Sequence, residues 1–229
     1  MFFNFFRRNA NPPLQWKLKP LKFPKKDLRN YGGKCILPQI ILAELFEMEI
    51  PTPYTFEISH CGGVFKTNCG VLDFTAEDLT ITVPEWMYQQ LDLAGTDKIT
   101  LKIVVLPKGR YVKLLPHSHE FLDIENPKRE LEKTLRNYQV LTQGDEILCN
   151  FEEGNMRFTV AEVKPAGLGV YIVDTDLEVE FLPPFGYEEK LEREKTVTKY
   201  LNVLKSDLHP RRISMKKPGL FFDFKKFSK

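Results

Sequence analysis

Alternating apolar and polar residues run through much of the chain, and two of these runs end in the same way. Thr80-Ile81-Thr82-Val83 alternates as a strand with one buried face and stops at Pro84. Trp86, Met87 and Leu91 then recur at helical spacing. β-Branched residues favour the extended form before the proline, and proline fits the first turn of a helix, where its missing N–H costs nothing. The same pattern stands 46 residues earlier. Cys35 matches Ile81, Leu37 matches Val83, Pro38 matches Pro84, Ile40 matches Trp86, Ile41 matches Met87 and Leu45 matches Leu91. An alternating strand follows each helix, Tyr54–Ile58 after the first and Ile99–Val105 after the second. The pattern predicts a duplicated strand–helix–strand unit over about residues 33–106. Two such halves closing on each other make a small β-barrel, which leaves no exposed sheet edge.

Upstream, Leu14, Trp16 and Leu18 alternate with Gln15 and Lys17, among Pro12, Pro13, Pro20 and Pro24. Proline blocks a long helix, so this reads as an extended lead-in or edge strand. Gly32-Gly33 reads as a turn. Downstream, Pro107–Glu120 reads as a loose connection. Asn126 and Pro127 then supply an N-cap and a first helical residue, with Leu131, Leu135 and Tyr138 at helical spacing. Lys128–Glu132 and Glu132–Arg136 are i,i+4 pairs on its exposed face. Strand runs follow at Glu146–Phe151, Met156–Val163, Gly169–Asp174 and Leu177–Leu182. The fold class expected is mixed α/β: a barrel over residues 1–114, an α+β unit over 115–190, and a charged linker with a basic, aromatic tail over 191–229.

Charge divides the chain. The net +2 of 229 residues hides basic ends around an acidic body. Residues 1–34 hold 9 Lys/Arg against 1 Asp, and residues 205–229 hold 8 against 2, which leaves −12 for residues 35–204. Such a body repels nucleic acid, whose affinity rests on phosphate neutralisation, so no nucleic-acid partner is expected. The arms bind RNA or an acidic membrane weakly, fold back on the body, or dock an acidic partner; their interleaved large apolar residues favour the last two. No apolar run reaches the ~18 residues of a membrane span. Met1–Arg8 is too short for a signal h-region, and the four cysteines form no CxxC pair. Reduced thiols in a cytoplasmic or nuclear compartment are expected.

Candidate chemistry is sparse. His60 precedes Cys61, but neighbours on a strand point to opposite faces, so Cys61 reads as a buried structural thiol. His117-Ser118-His119 lacks the paired spacing of a zinc site, and Gly62-Gly63 and Gly167-Leu168-Gly169 lack the residues of a phosphate cradle. No catalytic, cofactor or metal residue is assigned. Asp174, Asp176, Glu178 and Glu180 share one face of an extended strand, with Thr175, Leu177, Val179 and Phe181 on the other. They form either a solvated face or an acidic ridge that meets a basic partner surface. Leu220, Phe222, Phe224 and Phe227 punctuate the basic tail, which is either self-packed or disordered, or adds as a strand to a partner's sheet.

Several runs stand together in a recognisable order: Gly33–Pro38, Cys69–Phe74, Val83–Met87, Phe121–Lys128, Leu131–Tyr138, Leu141–Asp145, Val163–Pro165 and Pro184–Tyr187. Over about residues 1–190 the chain resembles the N-terminal domain of the ubiquitin fusion degradation protein 1 family. The resemblance implies a double-psi β-barrel followed by an α/β roll, similar to the N-terminal domain of the valosin-containing AAA ATPase. It also implies a non-enzymatic adaptor that binds polyubiquitin and pairs with a nuclear protein localization protein 4 type adaptor. The pair delivers ubiquitylated clients to the ATPase for proteasomal degradation, including degradation at the ER membrane. Ubiquitin's recognition surface is apolar with a basic rim, which suits an acidic ridge. The Phe-x-Gly-x-Gly box of family tails is absent from these 229 residues, so tail-mediated contact with the ATPase is not expected. Phe222–Lys225 resembles the segment that binds the partner adaptor. A component of a membrane protein-translocation machine that retains the barrel is the alternative.

Overall fold

A computed structural model describes residues 14–184 and Tyr187. Six strands close into a barrel: β1 (Gln15–Lys22), β2 (Lys34–Pro38), β3 (Thr55–His60), β4 (Phe65–Ala76), β5 (Thr80–Val83) and β6 (Ile99–Val104). Their order around the barrel is β1-β5-β2-β4-β3-β6. Helix α1 (Gln39–Glu47) follows β2 and helix α2 (Glu85–Gln90) follows β5, each starting directly after its proline.

The predicted duplication is visible in the packing. Cys35, Leu37, Ile41 and Leu45 are buried, and so are their matches Ile81, Val83, Met87 and Leu91. The copies meet where β2 pairs antiparallel with β5 at Ile36 and Thr82, two residues that are themselves 46 apart. One pair departs from the symmetry. Trp86 is 4% exposed while Ile40 is 53% exposed. The indole has something to bury against, because its Nε1–H donates to the Gly32 carbonyl at 2.8 Å and its ring lies 6.3 Å from Tyr138. Both helices end alike, with a left-handed residue just past the C-cap, Glu49 (φ 52°) and Asp92 (φ 50°).

Strand β1 is not an edge strand. Lys19–Lys22 pairs with β5 and Gln15–Leu18 with β6, which closes the barrel. Pro20 is accommodated because the pairing with β6 stops at Leu18, leaving no ladder bond for its missing N–H to break.

Beyond the barrel come β7 (Tyr111–Pro116), α3 (Pro127–Leu135), β8 (Val140–Leu141), β9 (Glu146–Phe151), β10 (Gly154–Lys164), β11 (Val170–Tyr171) and β12 (Glu178–Phe181). After the barrel, β12-β7-β10-β9 form the second sheet, of four strands, and β11-β8 a two-stranded ribbon. Strand β7 replaces the loose connection expected over Pro107–Glu120. Its Val112 and Leu114 are buried and alternate with half-buried Tyr111, Lys113 and Leu115. The flanking Gly109, Pro116 and histidines conceal a short run with period two. Asn126 caps α3 as expected, its side chain accepting from the Arg129 N–H. The ion pairs differ from those expected. Lys133, not Glu132, is the hub, reaching Glu130 at 2.7 Å and Glu152 on the β9–β10 turn at 2.6 Å.

The barrel and the second sheet share one core, and the connection between α3 and β8 fastens them. The Gly33 N–H donates to the Asn137 carbonyl at 3.2 Å. Gln139 accepts from the Val71 N–H and donates to the Tyr54 carbonyl. Two glycines permit this approach rather than merely a turn. A Cβ at Gly33 would sit 2.6 Å from Tyr138 Cδ1, and one at Gly70 would sit 2.2 Å from Gln139 Oε1.

Candidate functional site

The acidic stripe lies at the outer edge of the four-stranded sheet. Strand β12 is shorter than the run Leu177–Leu182, and Gly169–Asp174 contributes only Val170–Tyr171 to β11. Asp174 has φ 51°, so it sits in a turn rather than on the strand. The alternation survives the turn. Asp174, Asp176, Glu178 and Glu180 are all exposed, and Thr175, Leu177, Val179 and Phe181 are half-buried. Phe181 anchors β12 through Phe121, 4.7 Å away between ring centroids, and Phe158, 6.3 Å away.

Only part of the stripe is compensated within the molecule. Glu180 accepts a hydrogen bond from the Tyr111 hydroxyl at 2.5 Å and lies 3.6 Å from Lys113. The Tyr111 bond and the Lys113 charge hold the Glu180 carboxyl below the usual carboxylate range, while desolvation and then Glu180 push the Tyr111 phenol up. Lys164 caps the Tyr111 ring at 4.4 Å and Lys113 also reaches Glu162 at 3.6 Å. Asp174, Asp176 and Glu178 form no ion pair among the described residues. The tail residues Leu220, Phe222, Phe224 and Phe227 lie outside the described residues.

A groove that the sequence pattern did not indicate opens beside the junction of barrel and second sheet. It encloses about 410 Å³ between the 3-10 turn Leu28–Tyr31, β2, β4, α3 and β9. Leu28 (72% exposed) and Leu72 (47% exposed) face it with Tyr31, Lys34, Asn137 and Asn150. Leu28, an apolar residue within the polar run Lys25–Asn30, is the one sequence signal for it. The cations in its wall are largely committed: Arg29 is bound by both oxygens of Asp27, and Lys133 by Glu130 and Glu152.

Cys61 corrects the sequence reading. It is exposed, and its positive φ of 48° swings the side chain back toward His60, with Sγ 3.5 Å from Nε2. The strand rule fails because β3 ends at His60. His60 Nδ1 lies 3.2 Å from the Leu91 carbonyl, which only accepts, so Nδ1 carries the proton and Nε2 accepts from Thr96 or Cys61. Cys35, Cys69 and Cys149 are buried. Among the described residues no group of three His, Cys, Asp or Glu is placed to hold a metal, and no helix is long and apolar enough to cross a membrane.

A buried carboxyl sits between the two parts of the structure. Asp145 is 3% exposed. Its Oδ2 meets the Thr67 hydroxyl of β4 at 2.5 Å and its Oδ1 accepts from Gln90 of α2 at 2.7 Å. Burial pushes this carboxyl up to about 7, against the opposing pull of hydrogen bonds from Thr67, Gln90 and Thr142.

The two-part architecture matches two consecutive family models. "Ubiquitin fusion degradation protein UFD1, N-terminal subdomain 1" covers residues 13–107, and "N-terminal subdomain 2" of the same protein covers residues 108–184. The chain belongs to the ubiquitin fusion degradation protein 1 family. It is 41% identical over 161 residues to the ubiquitin fusion degradation protein 1 homolog of Caenorhabditis elegans, covering 70% of this chain and 47% of that one. With ubiquitin fusion degradation protein 1 of Saccharomyces cerevisiae it shares 35% identity over 167 residues, 72% of this chain and 46% of the relative. A human relative, 39% identical over 158 residues, is named ubiquitin recognition factor in ER-associated degradation protein 1; the match covers 69% of this chain and 51% of the relative. The chain thus spans about half the length of the curated relatives it matches.

Proposed function

We propose that the chain is a non-enzymatic adaptor that binds polyubiquitin. With a nuclear protein localization protein 4 type adaptor, it brings ubiquitylated proteins to the valosin-containing AAA ATPase for unfolding and proteasomal degradation. The observation that carries this reading is the match of both family models, end to end, over residues 13–184. The name of the human relative, a ubiquitin recognition factor in ER-associated degradation, supports the substrate class. The uncompensated carboxylates of the β12 stripe supply a surface for a basic rim, because charge complementarity sets on-rate and register. The protein works in the cytoplasm and nucleus and reaches the ER membrane through its partners.

Co-purification of the full chain from native cells, read by mass spectrometry, tests the assignment. The expected result is recovery of the ATPase, the partner adaptor and ubiquitylated proteins together. Recovery of a membrane import channel without the ATPase would contradict it.

A further inference from the structure

Strand β12 is bonded on one side only among the described residues, to β7. The Glu178 N–H donates to the Arg110 carbonyl at 3.0 Å and the Leu182 N–H to the Leu114 carbonyl at 2.8 Å. Even-numbered residues therefore bond inward. The amides and carbonyls of Val179 and Phe181 point away from the sheet, because successive residues of a strand turn their backbone groups to opposite edges. Such a row of unpaired donors and acceptors is a template for another strand. The template is firmly held, since Phe181 packs on Phe121 and Phe158. It is also short, because Pro183 and Pro184 follow directly and have no N–H to offer.

Side chains along this edge define what fits. On one face stand Glu178 and Glu180, both exposed. A strand laid beside β12 would put its own side chains about 5 Å from them, where opposite charges attract and like charges repel. On the other face Val179 and Phe181 are half-buried and extend the apolar core to the edge. A partner strand that alternates basic with apolar residues satisfies both faces at once. The cations near the stripe, Lys113 and Lys164, are engaged with Glu180, Glu162 and Tyr111, so Glu178 carries the open charge.

We propose that β12 is a docking edge for an extended partner segment that alternates basic and apolar residues and adds as a fifth strand to the sheet. This rests on the adaptor reading and names the chemistry of one partner that the adaptor holds.

Titration of the full chain at low salt with a synthetic peptide of alternating arginine and leucine tests it. Two N-methylated versions of the peptide carry the methyl groups on alternate amides, in opposite registers. Strand addition predicts binding that one register abolishes and the other preserves, because only alternate amides face β12. Glu178→Lys, an exposed change, is expected to weaken binding by about fivefold to tenfold. Val179→Pro removes an outward N–H and no bond to β7, and is expected to abolish it. Equal loss in both registers, affinity that follows peptide charge alone, or no binding would overturn the proposal and leave the stripe a solvated face. Polyubiquitin titrated in parallel separates the two readings. If it binds while the peptide does not, the edge fails and the adaptor stands; if the peptide binds in one register and polyubiquitin does not, the adaptor reading fails and the edge stands.

Discussion

Asp145 is a carboxyl whose burial raises its hold on its proton. It is 3% exposed, and no ion pair reaches it among the described residues. Thr67, Gln90 and Thr142 are its hydrogen-bond partners, and Cys69 and Tyr138 feel its charge. A carboxyl held at about 7 when folded, against 3.8 when unfolded, binds its proton more tightly in the native state. Between those values the folded protein holds more protons, so stability falls as pH rises. The contribution is complete below the unfolded value and is gone above the folded one. Urea unfolding followed across that window should show a declining midpoint, with a limiting slope of about 1.4 kcal/mol per pH unit for one proton. Asp145→Asn keeps a neutral side chain that can still accept from Gln90 and donate to Thr67. The variant should lose this slope and match the wild type at the acid end. A wild-type curve that rises through the same window would show that the carboxyl is ionised in its buried position.

Among the described glycines, Gly70, at the junction between β4 and the α3–β8 connection, leaves the least room for a side chain. Gly70→Ala places a methyl group 2.2 Å from Gln139 Oε1, and Gln139 cannot retreat without releasing the Val71 amide and the Tyr54 carbonyl. The expected cost is about 1–3 kcal/mol, measured as a lower denaturation midpoint. An unchanged midpoint would mean that the connection moves freely. This junction also marks how far the sequence could be read. Alternation and the repeated Pro38 and Pro84 foretold the barrel, because period and punctuation are local signals. Gly33 read as a turn, since nothing local reveals that Tyr138 packs against it. Strand β7 was hidden by its own flanks, and the matching of Ile40 with Trp86 failed because the Gly32 carbonyl lies beside only one of them. The stripe on β12 was legible from alternation alone. The groove was not, because it is lined by residues more than a hundred positions apart in sequence. Cys61 was misread because one positive φ at a strand end reverses the direction of a side chain.

For the whole molecule, a closed barrel and an open sheet have different uses. The barrel has no free edge, and its strands and helices bury Leu37, Ile41, Phe56, Ile81 and Met87 in the core. It can hold a surface rigid but cannot lend a backbone to a partner. The four-stranded sheet ends in β12, which carries outward backbone groups beside the Glu178 carboxylate, unpaired among the described residues. The repeated strand–proline–helix unit thus explains how the barrel folds, while the recognition proposed for the chain is placed on the surfaces fastened around it. The most direct test is a calorimetric titration of polyubiquitin into the full chain at low and at high salt. The account predicts saturable binding that weakens as salt screens the acidic stripe. No heat of binding at either salt concentration, with the chain shown to be folded, would contradict it.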